Sequence, residues 1–148
     1  MNWVNYFRNL ANNVKLKSKD RRTQVGAVIV GKDKEIVSTG YNSFPRGIDD
    51  SKKERQEKPE KYFWFEHAER NSIYNAARIG VSTKECTMYL TCGIPCADCA
   101  RGIINAGIGR IFCDKINGPN SDIWSEHAER SRKMLEEAGV EVQFYDNK

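Results

Sequence analysis

Between residues 87 and 145, short strand-like apolar runs alternate with helical stretches, and that alternation commits the second half of the chain to a parallel sheet. Residues 87–91 (TMYLT), 110–113 (RIFC) and 140–145 (VEVQFY) read as strands. Residues 96–106 and 123–138 carry helical spacing between them, and each stretch is followed by a glycine, Gly107 and Gly139, where a helix C-cap belongs. Strands joined through a helix run parallel, by right-handed crossovers. The last strand alternates Val140, Val142 and Phe144 with Glu141, Gln143 and Tyr145, which predicts one covered and one exposed face.

The first half reads differently. Trp3, Phe7, Leu10 and Val14 recur at spacings of four, three and four, one stripe of an amphipathic helix, which the polar run 15–23 ends. Residues 25–30 (VGAVIV) form a continuous β-branched run, the mark of a buried strand. Four turn residues, 31–34, lead to a second strand over 35–41, so these two strands form an antiparallel hairpin. Residues 42–65 show no periodicity. They hold Pro45 and Pro59, the mixed-charge run 52–61 and the aromatic cluster Tyr62, Phe63, Trp64 and Phe65, the profile of a structureless stretch that is either a functional loop or partly disordered. Helical patterning returns at His67 and stops at Gly80. The expected fold is α/β: one domain over 1–148, a mixed five-stranded sheet with its first two strands antiparallel and its last three parallel, and helices on both faces.

Composition narrows the function classes. The 148 residues carry 24 Lys and Arg against 20 Asp and Glu, a net charge of +4 that suits an anionic small substrate better than a nucleic-acid surface. No apolar run approaches a membrane span, and the first residues lack the layout of a secretory signal. Five cysteines, two of them in a C-x-x-C, point to a reducing cytoplasm and to metal binding rather than to a disulfide framework.

Two features stand apart from the scaffold: His67-Ala68-Glu69 at the start of one helix and Pro95-Cys96-Ala97-Asp98-Cys99 at the start of the next. Cys96 and Cys99 share a helix face and bind one ion together. With His67 they make three ligands and no clear fourth, and an open fourth position is what a catalytic zinc keeps for water. On a regular helix His67 and Glu69 point about 200° apart, so they converge only if His67 caps the helix in a non-helical conformation. Two helix N-termini then face the thiolates and help to hold them deprotonated. Glu69 suits proton transfer better than ligation.

These residues match the H-x-E…P-C-x-x-C signature of zinc nucleobase deaminases. With Val25-Gly26-Ala27-Val28, Gly40-Tyr41-Asn42, Phe44-Pro45-Arg46-Gly47 and Cys99-Ala100-Arg101-Gly102-Ile103, the chain resembles the deoxycytidylate (dCMP) deaminase branch over residues 23–145. The resemblance implies a cytidine deaminase-like three-layer α/β/α fold that hydrolyses dCMP to dUMP and ammonia. It implies one Zn2+ per chain on His67, Cys96 and Cys99, with Glu69 as proton shuttle. It also implies a substrate site in which the Ala68 N–H meets the base carbonyl, Asn42 the sugar or base, and Arg46 or Arg78 the phosphate. The backbone running into Pro95 faces the leaving amine in this family, and here Cys92-Gly93-Ile94 places three residues between Thr91 and Pro95 where two are usual. With no cysteine before Cys86, a second structural zinc is not expected. A homo-oligomer, dimer or hexamer, and a cytoplasmic location complete the expectation.

Rival readings are a tRNA adenosine-type deaminase, a deaminase of another or a 5-modified cytosine nucleotide, and a non-catalytic zinc module. The first would carry a denser basic surface and usually Glu where this chain has Ile94. The presence of Glu69 and the missing fourth ligand argue against the last. The pentapeptide at 66–70 recurs at 126–130, but no thiolate pair follows the second copy, so His127 reads as a solvated helix position. Cys86, Cys92 and Cys113 read as small core residues, Cys92 being the one close to the site. The run 52–61 reads as a solvated loop, and residues 62–65 as either a base-stacking surface or packing.

Overall fold

The computed structural model describes residues 1–115 and 122–146, and for 122–125 the backbone alone. The elements are α1 (Trp3–Val14), β1 (Gly26–Val30), β2 (Ile36–Tyr41), α2 (Lys61–Trp64), α3 (Ala68–Ile79), β3 (Thr87–Leu90), α4 (Ala97–Asn105), β4 (Arg110–Cys113), α5 (Asp122–Glu137) and β5 (Glu141–Phe144). The strands form one sheet in the order β2-β1-β3-β4-β5. β1 runs antiparallel to both neighbours, whereas β3, β4 and β5 are mutually parallel. That parallel last pair is what the helical crossover at α5 predicts.

The continuous apolar run of β1 reflects burial on both faces. Ala27 and Ile29 pack with Met88, Ala100, Ile103, Ile111 and Leu135, the side covered by α3, α4 and α5. Val28 and Val30 pack with Phe7 and Ala11 of α1 on the opposite side. One helix thus covers one face and three cover the other.

Two expectations change. Residues 42–65 are not structureless: 3-10 turns occupy Lys53–Gln56, α2 follows, and Ser43 bridges Glu66 in antiparallel fashion. Side chains pin this segment, with the Arg55 guanidinium 3.8 Å over the Trp64 ring and Lys61 paired to Asp20 at 2.8 Å. Tyr145, expected on an exposed face, is buried. Its ring packs with Phe7 and Phe112 beneath α1, and Arg8 lies 4.3 Å above it.

Gly40 decides where α3 lies. A Cβ there would approach the Ser72 nitrogen to 2.4 Å, so only glycine lets β2 meet the helix so closely. The Ser38 hydroxyl donates to the Ser72 carbonyl at 2.8 Å across the same contact. That contact fixes α3, and hence His67 at its N-cap, against β2. Among the described residues no helix is long and apolar enough to cross a membrane, and all five cysteines are free thiols.

Candidate active site

His67 caps α3 with φ −77° and ψ 152°, the extended conformation that its convergence with Glu69 requires. Cys96 caps α4 in the same way, and its sulfur accepts from the Cys99 N–H at 3.4 Å. His67 Nδ1 lies 3.5 Å from Cys96 Sγ and 3.3 Å from Cys99 Sγ. With metal–ligand bonds of about 2.0–2.3 Å, tetrahedral geometry sets its ligand atoms roughly 3.5 Å apart, so these spacings fit one zinc ion. Among the described residues this is the group of His, Cys, Asp and Glu placed to hold a metal.

The donor chemistry fits as well. The Cys96 thiol is pushed down to about 4 by its hydrogen bond with Cys99 and by His67, against the opposing effect of burial. Cys99 is pushed up, first because its proton serves that same bond. The two thiols therefore share one negative charge beside His67, and a cation would deprotonate both. Arg70 stands behind them, paired with Glu66 at 2.6 Å and 3.9 Å from Asp98, which ties the two ligand-bearing helices together. Glu69 is 4% exposed, and burial holds its carboxyl above the ordinary range.

These groups line a cavity of 420 Å³, within the usual range for small-molecule sites. His67, Ala68, Glu69, Cys96 and Asn42 all line it, and Ala68 brings one of the first N–H groups of α3, which have no acceptor inside the helix. Pro95 is fully buried just before the Cys96 cap. Cys92, Gly93 and Ile94, the segment with the extra residue, form part of the wall. Cys86 and Cys113 are core residues as expected. Of the aromatic cluster, Tyr62 and Phe65 reach the cavity, Phe65 also packing on Phe44 at 4.2 Å between ring centres, while Phe63 is exposed.

Arg46 and Arg78 are not brought to this cavity. They line a separate depression with Tyr74 and Asn75, where Arg46 donates to Asn75 Oδ1 at 2.8 Å.

His127 departs from its expected place. It is half-buried, lines the cavity, and its Nδ1 accepts the Ala97 N–H at 3.2 Å, capping the first turn of α4. Packing of α5 on α4 brings it there, which helical periodicity alone does not encode.

Asp20 and Lys61 were not legible as site residues, one sitting in a basic run and the other in a charged loop. Asp20 Oδ1 accepts from the N–H groups of Arg22 and Thr23 at 2.8 and 3.2 Å, while Asn42 Nδ2 donates to Asp20 Oδ2 at 3.3 Å and to the Thr23 carbonyl at 2.8 Å. Asn42 Oδ1 accepts the Val25 N–H at 2.8 Å. Burial opposes ionisation of Asp20, but Lys61 and the two backbone donors outweigh it and hold its carboxyl below the ordinary range. Its stabilising effect is therefore present above the ordinary carboxylate pKa, about 4, and is lost as pH falls through the lowered value. Asp20→Asn is expected to cost about 3 kcal/mol by leaving Lys61 half-buried without its counter-charge. Urea midpoints measured between pH 7 and pH 3 should fall less steeply in the variant.

Comparison with known proteins agrees with this geometry. Residues 1–115 match the family described as the cytidine and deoxycytidylate deaminase zinc-binding region. The chain belongs to the cytidine and deoxycytidylate deaminase family. An uncharacterized deaminase of Aliivibrio fischeri is 39% identical over 95% of this chain and 91% of its own length. Human deoxycytidylate deaminase is 35% identical over 95% of this chain and 78% of its own. The dCMP deaminase of cyanophage S-TIM5, solved in complex with dCMP and dUMP, has the same fold, with a TM-score of 0.76 at 22% identity over 95% of both chains. Membership makes this deaminase a zinc enzyme, and His67, Cys96 and Cys99 are the side chains its fold brings together for the ion.

Proposed function

We propose that this deaminase acts on the cytosine ring of a nucleotide, dCMP foremost, converting dCMP and water to dUMP and ammonia. One observation carries the reading: the extended cap at His67 sets its imidazole within 3.5 Å of both thiols while the buried Glu69 carboxyl lines the same cavity. The deoxycytidylate deaminases among its relatives support the choice of nucleotide.

When held by His67, Cys96 and Cys99, Zn2+ supplies the Lewis acidity that ionises water beside C4 of the base. Glu69 takes the proton the water releases and delivers it to the ring nitrogen N3 as the hydroxide adds to C4, then carries that hydroxyl's proton to the amine as the C4–N bond breaks. Its burial excludes bulk water from those transfers. The Ala68 N–H donates to the base carbonyl and orients the ring. Asn42 has both amide hydrogens committed to Asp20 and Thr23, so its second Oδ1 lone pair is what it offers a sugar hydroxyl. The backbone leading into Pro95 borders the leaving amine. We further infer a homo-oligomer, dimer or hexamer, since Tyr41, Ile48, Tyr74 and Ile79 expose apolar surface around β2 and α3, and a cytoplasmic location, where free thiols persist.

Ammonia release from dCMP, CMP, dCTP, deoxycytidine, 5-methyl-dCMP and a tRNA anticodon stem tests the reading. The expected result is a kcat/KM for dCMP at least about 10-fold above each of the others, the equivalent of one charge-assisted contact. Turnover confined to the RNA overturns it.

A further inference from the structure

His127 lines the catalytic cavity yet takes no part in the chemistry proposed above. It belongs to α5, where His127, Ser131 and Leu135 recur at intervals of four and so share one helix face. Ser131 and Leu135 on that face are fully buried, Leu135 in the cluster that holds Ala100 and Ile103 of α4. Packing of this face on α4 delivers the imidazole to the helix start that carries the thiols, where its Nδ1 accepts the Ala97 N–H at 3.2 Å.

That N–H belongs to the peptide unit between Cys96 and Ala97. The carbonyl oxygen of the same unit accepts the Ala100 N–H at 2.8 Å. Both ends of the planar group are therefore held, one by α4 itself and the other from α5. Its orientation is what the Cys96 ψ of 167° describes, with φ at −65°. Those two angles set the direction of the Cys96 side chain, and so the place of its sulfur, 3.5 Å from His67 Nδ1. Without the imidazole, the Ala97 N–H joins the first-turn donors that no helical carbonyl satisfies, and the peptide loses its outer tether.

We propose that His127 is a positioning residue of the metal centre: by holding the Cys96–Ala97 peptide from α5, it keeps the Cys96 sulfur aimed at the point where His67 and Cys99 converge. It acts through the backbone and needs no contact with the ion. Arg70 fastens the start of α4 to α3 through Glu66 and Asp98, and His127 fastens it to α5, so the thiols are braced from two sides. The pentapeptide at 126–130 thus repeats the one at 66–70 with a different task for its histidine, a brace where the first copy supplies a ligand. The assignment concerns how the ion is held and is independent of which nucleotide is the substrate.

The test sets His127→Phe, which keeps a ring and loses the acceptor, against His127→Asn, which loses the ring and keeps an acceptor oxygen where Nδ1 stood. Glu129→Gln, in an exposed ion pair on α5, is the control. Competition with a chromophoric chelator measures the zinc affinity of each full chain, and the thiolate-to-metal band of the cobalt-substituted forms reports the ligand geometry. His127→Phe is expected to bind zinc about 10–100-fold more weakly, the usual cost of removing a group that orients a metal ligand. Its cobalt band should shift, while the far-UV circular dichroism of the zinc-free chain stays that of wild type. His127→Asn and the control keep the wild-type affinity and band. Wild-type zinc affinity in His127→Phe overturns the assignment. So does an equal loss in His127→Asn, which would make ring volume, and not the acceptor, what the centre needs. A wild type inert toward cytosine nucleotides that still shows the expected ranking overturns the substrate reading alone.

Discussion

Glu69→Gln is expected to lower kcat by about 10³-fold while leaving one zinc per chain. The substitution keeps the side chain's shape, so the buried pocket at the first turn of α3 remains filled, and it removes the one property the reaction needs, a group that accepts and returns a proton. A carboxylate 4% exposed has no bulk water to stand in for it. Because the missing interactions form only in the transition state, the loss belongs in kcat and KM for dCMP should move little. Steady-state kinetics beside zinc analysis by mass spectrometry decide the matter. Near wild-type kcat with full zinc would remove Glu69 from the mechanism, and loss of zinc would make it a ligand.

Cys96→Ala is expected to abolish both metal and turnover. Cys96 contributes one of three ligand atoms and also accepts the Cys99 N–H that opens α4, so its loss leaves a single thiol and an imidazole, too few for tight binding. Zinc content should fall from about one per chain to near zero, and activity below detection. Since the ion binds only the folded chain, wild type saturated at about 1,000 times its Kd gains about 4 kcal/mol of stability that the variant lacks. Chelating the wild type should therefore lower its Tm close to that of the variant. A variant that retains stoichiometric zinc would show that other side chains form the centre.

Both predictions concern residues that were legible from spacing. Cys96 and Cys99 are three apart at a helix start, a local relation that helix geometry converts directly into a shared face. The need for His67 to be extended likewise follows from its two-residue offset from Glu69. Strand direction in the second half was legible for a similar reason, since helical crossovers leave little choice of it. The two-sided burial of β1 was written in its unbroken β-branched run. Tyr145 misled because alternation reports which residues differ, whereas the cover comes from α1, more than 130 residues earlier in the chain.

The charged residues around the cavity mark the boundary. The family resemblance suggested Arg46 or Arg78 for the phosphate, and the fold places both in a depression apart from the cavity. Arg22, Lys58, Lys61 and His127 reach the cavity from segments whose local pattern reads as solvated. What residue spacing determined unaided was the convergence of His67, Cys96 and Cys99, the place of Glu69 beside that triad and the parallel half of the sheet, because each depends on periodicity within one or two turns or on a single crossover. The tertiary structure alone decided which charges surround that triad. Electrostatic partnership depends on distance through space, and Asp20 gathers its partners from loops whose only relation is how the sheet and helices pack.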